Sequence, residues 1–454
     1  MALFLVPPYA ICDFLDKDDL VILMRTHSFF SLKYAKIASP QISLLYRPND
    51  DRIIYKKILK KFPKAKLIID TVSMTKNLTV LPRITSLDLS YSYSYAPNLP
   101  LITNLTSLCL RNCGETINTE MLTPLTKLVE LDLDNNREIK GSTLQKLTLL
   151  QKLNLDNNTI ITDLDIEYLP LRSLSLECNT TITPFILPKL NLTHLNIRNY
   201  GAESLSEEII KCRTITSLDL SGNRFADIFK IIEKMTWLQK LTINERVYEK
   251  SLSYLTNLTY LEIYRNQAIE ISSLVKLQTL IIRETGIFGS RYECQVSYQI
   301  KFINLKNLTH LDVSIGRLLS NPKLSKLENL KKLTLRNSIY NLDIDISHLI
   351  SLTSLEIINC SMHSFVREGN ISNQSLESLT VVESTTKIYD NSLAAFSNLK
   401  YLVLQPKETS RIKGRCFKDL PKLFSIKINQ LVRLEDSCIP SLLKRGIMLS
   451  YCDE

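Results

Sequence analysis

A nine-residue phrase recurs along most of the chain. It reads Leu-x-x-Leu-x-Leu plus three further residues, with Ile or Val accepted for Leu, and it occurs sixteen times at a mean interval of about 22.6 residues. The copies begin at residues 84, 105, 128, 150, 171, 192, 215, 238, 258, 277, 308, 330, 352, 376, 399 and 423. Such a period predicts stacked copies of one structural unit, because a single copy is too short to bury its own apolar side.

Within each copy, the apolar fourth and sixth residues alternate with mostly polar neighbours. This alternation predicts a short strand with one buried face and one exposed face, and stacked copies then form a parallel sheet over one elongated core. The ninth place is often Asn, whose side-chain amide can bond to backbone groups of the turn. We therefore interpret a cysteine at this place as a buried ladder residue rather than a redox or metal residue. The ninth places include Ser92, Cys113, Asn136, Asn158, Asn179, Asn223, Asn266, Thr285, Ser338, Cys360 and Ser384.

The phrase and its period resemble those of leucine-rich-repeat proteins over about four fifths of the chain. This resemblance implies an α/β leucine-rich-repeat solenoid, with a curved parallel sheet on the concave face and an irregular or short helical convex side. We expect a small helical N-terminal region over residues 1–76, about sixteen repeats over 77–431 and a C-terminal cap over 432–454.

The segment "ICDFLDKDDLVIL" at residues 11–23 resembles an F-box, the segment that docks substrate receptors onto the Skp adaptor of cullin-type ubiquitin ligases. The usual Leu-Pro is replaced by Leu3-Phe4, and the usual tryptophan is absent, since Trp237 lies within the repeats. A plain helical cap over the end of the repeat array is the alternative. If the resemblance holds, it implies that the adaptor-binding residues are Ile11, Phe14, Leu15, Leu20, Leu23, Phe29 and Phe30.

The exposed strand positions form the candidate partner surface. Acidic residues come first, at Asp132, Asp134, Asp156 and Glu177, and we interpret them as a recognition patch or as solvated surface. Arg, Tyr and outward apolar residues follow, and these residue types are typical anchors of protein interfaces. The predicted partner-binding residues of the concave face are Arg198, Tyr260, Tyr264, Arg265, Arg283, Arg336, Ile358, Val382, Tyr401 and Val403.

The sequence favours neither catalysis nor a cofactor. Only 10 glycines occur, without a GxGxxG or GxxxxGK arrangement, and the 5 histidines show no HExxH spacing. We therefore predict no enzyme activity, no cofactor and no metal site.

The net charge of +10 is concentrated near the N-terminus, where residues 1–76 hold 13 Lys or Arg and 7 Asp or Glu. The segment at 51–66 has the pattern of a basic amphipathic helix, which can bind anionic membranes or nucleic acid. We favour a packed helix with a solvated lysine face, and thus expect neither partner. The lysines concerned are Lys56, Lys57, Lys60, Lys61 and Lys64.

The 10 cysteines are too sparse for a disulfide scaffold, and the apolar start of the chain fits a secretory signal poorly. No stretch is long and apolar enough to predict a transmembrane helix. We therefore expect a cytoplasmic protein with reduced thiols. The abundant Ile, Asn and Lys are similar to those encoded by AT-rich genomes, such as those of parasites or large DNA viruses.

The interval from 277 to 308 is 31 residues long, and its surplus lies around 289–302. It is either a partner-binding loop carrying Tyr292 and Tyr298 or a tolerated insertion. Together these patterns predict a non-catalytic protein-interaction protein. Two functions stay open: a substrate receptor of a cullin-type ubiquitin ligase, and a scaffold or effector that binds another protein without a link to ubiquitin.

Overall fold

A computed structural model provides the three-dimensional structure of the chain. It describes residues 43–46, 60, 66–69, 85–92, 96, 99–115, 117–200, 207–223, 228–243, 252–265, 271–284, 304–316, 324–338, 346, 348–361, 374–385, 388–410 and 412–451. The chain divides into two compact units, Met1–Ala226 and Asp227–Glu454, which we call unit 1 and unit 2.

The described part of unit 1 contains nine strands, and each of the first eight pairs in parallel with the next strand in sequence. Short helices connect some of them: α1 (Thr119–Leu122), α2 (Gly141–Leu144), α3 (Asp163–Ile166) and α4 (Glu208–Lys211), with 3-10 helices at Leu99–Leu101 and Pro184–Lys189. The strands are β1 (Ser43–Tyr46), β2 (Lys66–Ile69), β3 (Ser86–Asp88), β4 (Ser107–Cys109), β5 (Glu130–Asp132), β6 (Lys152–Asn154), β7 (Ser173–Ser175), β8 (His194–Asn196) and β9 (Ser217–Asp219).

The described part of unit 2 contains ten strands, which are again parallel and paired in sequence order. Its helices are α5 (Ile228–Lys234), α6 (Asp390–Ala394) and α7 (Cys438–Lys444), with 3-10 helices at Leu324–Lys326 and Arg415–Asp419. The strands are β10 (Lys240–Ile243), β11 (Tyr260–Arg265), β12 (Thr279–Glu284), β13 (His310–Gly316), β14 (Lys332–Ser338), β15 (Ser354–Ile358), β16 (Ser378–Val382), β17 (Tyr401–Gln405), β18 (Ser425–Ile428) and β19 (Met448–Tyr451).

The apolar places of the phrase form the core of each unit. Leu131 and Leu133, the fourth and sixth residues of one copy, are 2% and 0% exposed, and their equivalents in neighbouring copies are also buried. Burying one such side chain stabilises the fold by about 1.5–3 kcal/mol. Because each leucine packs against its counterparts in the next copies, the core is a row of equivalent layers. The predicted leucine-rich-repeat architecture is confirmed in both units.

The ninth places form a buried polar ladder, as predicted. In unit 1, Asn136, Asn158 and Asn179 are fully buried. The Asn158 amide donates to the Asn136 carbonyl at 2.8 Å, and the Asn179 amide donates to the Asn158 carbonyl at 3.0 Å. The Asn158 Oδ1 accepts from the backbone N–H groups of Ile160 and Ile161, both at 3.0 Å. Each side chain thus satisfies backbone groups that the turn leaves unpaired.

Cysteines take the same structural role. Cys113 and Cys360 are buried, and the Cys113 thiol donates to the Leu89 carbonyl at 2.9 Å. Burial raises the pKa of Cys113 to about 11, which keeps the thiol protonated at neutral pH. The prediction that these cysteines are ladder residues is confirmed, whereas Asn266 and Thr285 lie outside the described residues.

The eighth place of the phrase adopts a left-handed backbone in most described copies. Because the chain reverses sharply there, φ is positive, and Asn or Gly suits this conformation best. The backbone N–H of the eighth residue donates to the seventh carbonyl of the next copy, as from Asn135 to Asp156 at 2.8 Å. The residues with this backbone are Tyr91, Asn112, Asn135, Asn157, Cys178, Asn199 and Gly222 in unit 1 and Asn337, Asn359 and Glu383 in unit 2.

Within residues 1–76, which the sequence predicts to be helical, the structure describes residues 43–46, 60 and 66–69. Strands β1 and β2 lie within them, and β2 pairs with β3 through Leu67 opposite Leu87, so the parallel array begins before residue 77. The repeat phrase does not match β1 and β2, because their first places are Gln41 and Lys64 instead of an apolar residue. Lys60, inside the predicted basic helix, is helical and exposed.

The predicted C-terminal cap over 432–454 contains α7 and β19. Strand β19 pairs with β18 through Leu449 opposite Ile426, and thus continues the register of the phrase, although its first place is Gly446. The extra segment at 289–302, with Tyr292 and Tyr298, lies outside the described residues. No helix in the described ranges is both long and apolar enough to cross a membrane.

Candidate protein-binding surface

The third, fifth and seventh residues of each copy point away from the core. In β11, Tyr260, Glu262 and Tyr264 are partly exposed and alternate with the fully buried Leu261 and Ile263. Lateral pairing keeps equivalent residues of neighbouring strands opposite each other. The same alternation therefore continues to β17, except that Ser314 of β13 and Thr334 of β14 are buried although they occupy outward places. We call these positions the outward face of unit 2.

Two of the predicted anchor arginines belong to one chain of ion pairs on this face. The Arg283 Nη1 lies 3.0 Å from the Asp312 Oδ2, and the Arg336 Nε lies 3.0 Å from the Asp312 Oδ1. Arg283 also contacts Glu262 at 3.4 Å. The side chains of Arg283 and Arg336 are only about 30% exposed, so both guanidinium groups are held in place by carboxylates of neighbouring strands.

The charge of Arg283 is stabilised by this arrangement. Burial by itself lowers the pKa of Arg283, but the negative charges of Asp312 and Glu262 outweigh it and raise the pKa above the ordinary value of arginine. The guanidinium is therefore charged but already neutralised within the protein. It offers a partner directed hydrogen bonds rather than a net positive charge.

The predicted tyrosines occupy the same end of the outward face. The Tyr260 hydroxyl donates to the Glu262 Oε2 at 2.7 Å, and Tyr264 lies opposite Arg283 in the next strand. Arg265 is the last residue of β11, and its side chain lies outside the described part of the chain. Tyr260 and Tyr264 thus border the ion pairs.

Apolar side chains replace the charged ones further along the outward face. Ile358 at the end of β15 lies directly opposite Val382 of β16, and Val403 of β17 lies opposite Thr380. All three apolar side chains are partly exposed. Outward apolar residues contribute little to the core, so this run is an exposed apolar feature of the outward face.

An aromatic pair lies beside the apolar run. The rings of Tyr401 and Phe424 meet edge to face, with centroids 6.0 Å apart and planes at 75°. Tyr401 is 48% exposed and Phe424 is 38% exposed, so each ring keeps an open side. The predicted residues Ile358, Val382, Val403 and Tyr401 therefore lie on consecutive strands.

Arg198 does not belong with the other predicted anchors, since it lies in unit 1. Its Nε is 3.5 Å from the Glu177 Oε1, within the acidic stretch that the sequence analysis identified. At the other end of that stretch, Arg111 contacts both Asp132 and Asp134, at 3.1 and 3.2 Å. The acidic stretch of unit 1 is therefore flanked by an arginine at each end.

The sequence analysis missed the residues that organise the outward face of unit 2. Asp312 holds both arginines, and Phe424 supports Tyr401. Asp312 occupies the fifth place of its copy, so aligning the fifth places as well as the seventh would have brought it next to the arginines. Phe424 occupies a second place, where the alternation gives no signal.

The predicted adaptor-binding residues Ile11, Phe14, Leu15, Leu20, Leu23, Phe29 and Phe30 all lie outside the described residues. Within the described residues, no group of three or more His, Cys, Asp or Glu side chains has an arrangement that could hold a metal ion.

Comparison with known proteins relates the chain to other repeat proteins by fold. No protein-family model matches the chain. The chain is 26% identical over 276 residues to putative disease resistance RPP13-like protein 2 of Arabidopsis thaliana. That match covers 58% of this chain and 30% of the relative, so the chain spans less than a third of the length of the curated protein it matches.

Solved structures share the architecture. The TLR13–ssRNA13 complex matches with a TM-score of 0.55 at 16% identity, over 91% of this chain and 71% of that chain. A leucine-rich-repeat protein of Leptospira interrogans matches with a TM-score of 0.44 at 19% identity, over 83% of this chain and 92% of that chain. At 16% identity, the TLR13 match shows a shared fold and nothing further. The repeat phrase and the parallel strands of both units lead to the same conclusion: this chain is a leucine-rich-repeat protein by its fold.

Proposed function

We propose that this chain is a non-catalytic protein-binding protein and that its partner contacts the outward face of unit 2. The observation that carries the proposal is the run of partly exposed Ile358, Val382 and Val403 on consecutive strands. Tyr401 borders the run on one side, and the Arg336–Asp312 pair borders it on the other. An apolar centre with a polar rim is the usual anatomy of a protein interface.

The ion pairs support the same proposal. Arg283, Asp312 and Arg336 fix one another, so a partner meets polar groups that are already oriented and loses little side-chain entropy on binding. The opposite charges cancel, so the rim does not select for strongly charged ligands. A protein surface with an apolar patch and directed hydrogen bonds fits this face best.

A pair of substitutions tests the outward face. The double variant Ile358→Asp/Val382→Asp places two charges in the apolar run without changing a core residue, and Val275→Asp adds one charge at an exposed apolar residue outside the strands. Both proteins are used as bait for soluble extracts, and the retained proteins are identified by mass spectrometry. We expect the double variant to lose a protein that both the wild type and Val275→Asp retain.

The same experiment can refute the proposal. If circular dichroism shows that all three proteins are folded and the double variant retains the same proteins as the wild type, the outward face of unit 2 is not the binding surface.

A more specific proposal is that the protein is a substrate receptor of a cullin-type ubiquitin ligase, docking a Skp-type adaptor through residues 11–30. Its support is the sequence resemblance to the F-box. The test is a binding titration of the full chain against a Skp-type adaptor, with Leu15→Asp and Leu20→Asp variants checked by circular dichroism. Adaptor binding that both variants lose supports the receptor. Absence of binding at tens of micromolar favours a scaffold or effector whose outward face binds a protein unrelated to ubiquitin.

We also place the protein in the cytoplasm, where thiols stay reduced. The cysteines in the described residues support this proposal because all are free thiols, including the exposed Cys178.

A further inference from the structure

Unit 1 contains a pocket of about 290 Å³ that the proposed function does not use. It lies where the chain leaves strands β3 to β6. Its lining residues are Tyr91, Arg111, Asn112, Asp134, Asn135 and Asn157.

The backbone around this pocket is held in one conformation. Tyr91, Asn112, Asn135 and Asn157 occupy the eighth places of four consecutive copies, with φ between 49° and 59°. The backbone N–H of each donates to the seventh carbonyl of the next copy at 2.8 Å. The four side chains are therefore presented in a row at one end of the sheet.

The side chains that line the pocket also hold one another. The Asn135 amide donates to the Asn112 Oδ1 at 2.9 Å, and the Asn157 amide donates to the Asp134 Oδ1 at 3.0 Å. These bonds orient each amide group, so the lining is preorganised. Preorganised polar groups bind a ligand at a lower entropic cost than mobile ones.

The charges of the lining cancel each other. Arg111 contributes the positive charge and Asp134 the negative charge, and the Arg111 Nε lies 3.2 Å from the Asp134 Oδ2. The Arg111 Nη2 is also bound by Asp132 at 3.1 Å. A charged ligand would have to compete with these pairs, so a neutral ligand fits the pocket better.

The lining also has hydrogen-bond donors and acceptors that are not used within the pocket. The Asn112 amide nitrogen is a donor, and the Asn135 and Asn157 side-chain oxygens are acceptors, with no bonding partner among the described residues. Tyr91 lines the pocket and is 57% exposed, so its ring and its hydroxyl group are accessible at the pocket rim. A sugar matches this set, because its hydroxyl groups both donate and accept while its C–H face packs on an aromatic ring.

We propose that this pocket of unit 1 binds a neutral saccharide. The volume of about 290 Å³ lies just below the range of about 300–1,000 Å³ for small-molecule pockets, so the ligand is one or two sugar rings of a chain. The Asn112, Asn135 and Asn157 amides bond to the hydroxyl groups, and the Tyr91 ring packs against a ring face. The site is distinct from the outward face of unit 2. The saccharide proposal therefore does not depend on the proposed protein partner.

Nuclear magnetic resonance of the full chain, labelled with ¹⁵N in asparagine, tests this site directly. The protein is titrated separately with chitotriose, cellotriose and maltotriose. We expect at least one of them to shift the side-chain amide signals of Asn112, Asn135 and Asn157 together, with a Kd on the order of 1 mM.

Two variants and one matched control make the test specific. Tyr91→Asn removes the ring but keeps a residue that tolerates positive φ, and Asn135→Asp removes the amide that bonds to Asn112. We expect each to weaken binding about tenfold, which is about 1.4 kcal/mol. Asn359→Asp removes the equivalent 2.9 Å bond to Asn337 in unit 2, and should leave the affinity unchanged.

Three results would overturn the proposal. The first is the absence of shifts with all three saccharides at about ten times the expected Kd. The second is equal binding by the Asn135→Asp and wild-type proteins. The third is a response to N-acetylglutamine amide but to no saccharide, which would make the pocket a contact site for a protein loop.

Discussion

At the scale of single residues, the two places that end each copy have different roles. In most described copies the ninth residue is buried, and its Asn side chains bond to the backbone, whereas the eighth residue adopts positive φ and is often exposed. Asparagine suits both places, but for different reasons. At the ninth place its amide replaces missing backbone partners, and at the eighth it tolerates the left-handed conformation. Substitutions at the two places should therefore lower the free energy of unfolding by different amounts.

Asn158→Ala is expected to be strongly destabilising. The variant leaves the Asn136 carbonyl and the Ile160 and Ile161 N–H groups without their partner in a buried site. Unsatisfied buried groups cost about 1–3 kcal/mol each before relaxation, so we expect a loss of about 2–4 kcal/mol. Guanidinium unfolding measures it. The exposed Asn191→Ala is the control, and a loss below about 1 kcal/mol for Asn158→Ala would contradict the ladder's proposed role.

Asp156→Asn is expected to stabilise the protein at neutral pH. Burial raises the pKa of the Asp156 carboxyl above its usual value near 3.8, so the folded protein holds this proton more tightly than the unfolded chain. The stability that the protonated carboxyl contributes is thus fully present below the unfolded-state pKa and is lost as the pH rises through the folded-state pKa. Asparagine keeps an acceptor oxygen for the Ser175 hydroxyl and the Glu177 N–H, at 2.7 and 2.6 Å.

Urea unfolding of the wild type and the Asp156→Asn variant at several pH values measures whether the substitution raises or lowers the free energy of unfolding. The variant should be more stable at pH 7, and the difference should disappear below the usual carboxyl pKa, where both proteins are neutral at this position. A variant that is less stable at pH 7 would show that the carboxylate charge is favourable in the folded state. Glu120→Gln, at an exposed residue, serves as the control.

At the scale of strands, one carboxylate links its own strand to both neighbouring strands. Asp312 of β13 contacts Arg283 of β12 and Arg336 of β14, so it ties these strands together beyond their backbone pairing. Its side chain is 17% exposed, and the arginines are 29% and 30% exposed. Ion pairs in such partly buried positions contribute more than fully exposed ones.

Asp312→Ala should lower the free energy of unfolding by about 1–2 kcal/mol, because two guanidinium groups lose their carboxylate at once. Since the interaction is electrostatic, molar salt should reduce the difference from the wild type. Glu377→Ala removes a more exposed pair with Lys400 and should cost less than about 0.5 kcal/mol. Equal losses for both variants would mean that Asp312 is an ordinary surface charge.

At the scale of the whole molecule, the outward positions of the two units carry opposite charge. The described outward positions of unit 1 include seven acidic and three basic residues, and those of unit 2 include three acidic and five basic residues. The two faces therefore do not favour the same partner. A repeat protein can combine such surfaces because stability depends on the buried places, which leaves the outward places to vary.

We expect the two proposed sites to act independently. Ile358→Asp/Val382→Asp should lose the protein partner but keep the saccharide-induced amide shifts of unit 1. Asn135→Asp should do the opposite. The measurements are the partner-retention experiment and the amide titration, carried out on the same preparations. A folded variant that changed both readouts would show that the sites are coupled or that one of the assignments is wrong.

The sequence by itself determined the repeating architecture, because burial follows the phrase. Alternation at the fourth and sixth places identified the core strands from β3 to β18, and the ninth place identified the buried ladder. The sequence did not reveal β1, β2 and β19. Their first places, Gln41, Lys64 and Gly446, are not apolar, and only pairing with a neighbouring strand includes them in the array.

The candidate site depended more on tertiary structure. The alternation placed Arg283, Arg336, Ile358 and Val382 on the outward face, but it could not show which side chains meet across strands. The link from Arg283 to Asp312 spans an interval of 29 residues and depends on how the copies stack side by side. The pocket likewise depends on positive φ at successive eighth places, which hydrophobic alternation does not report. Sequence determined what is buried because burial is periodic, whereas contacts between exposed side chains were decided by the lateral packing of strands.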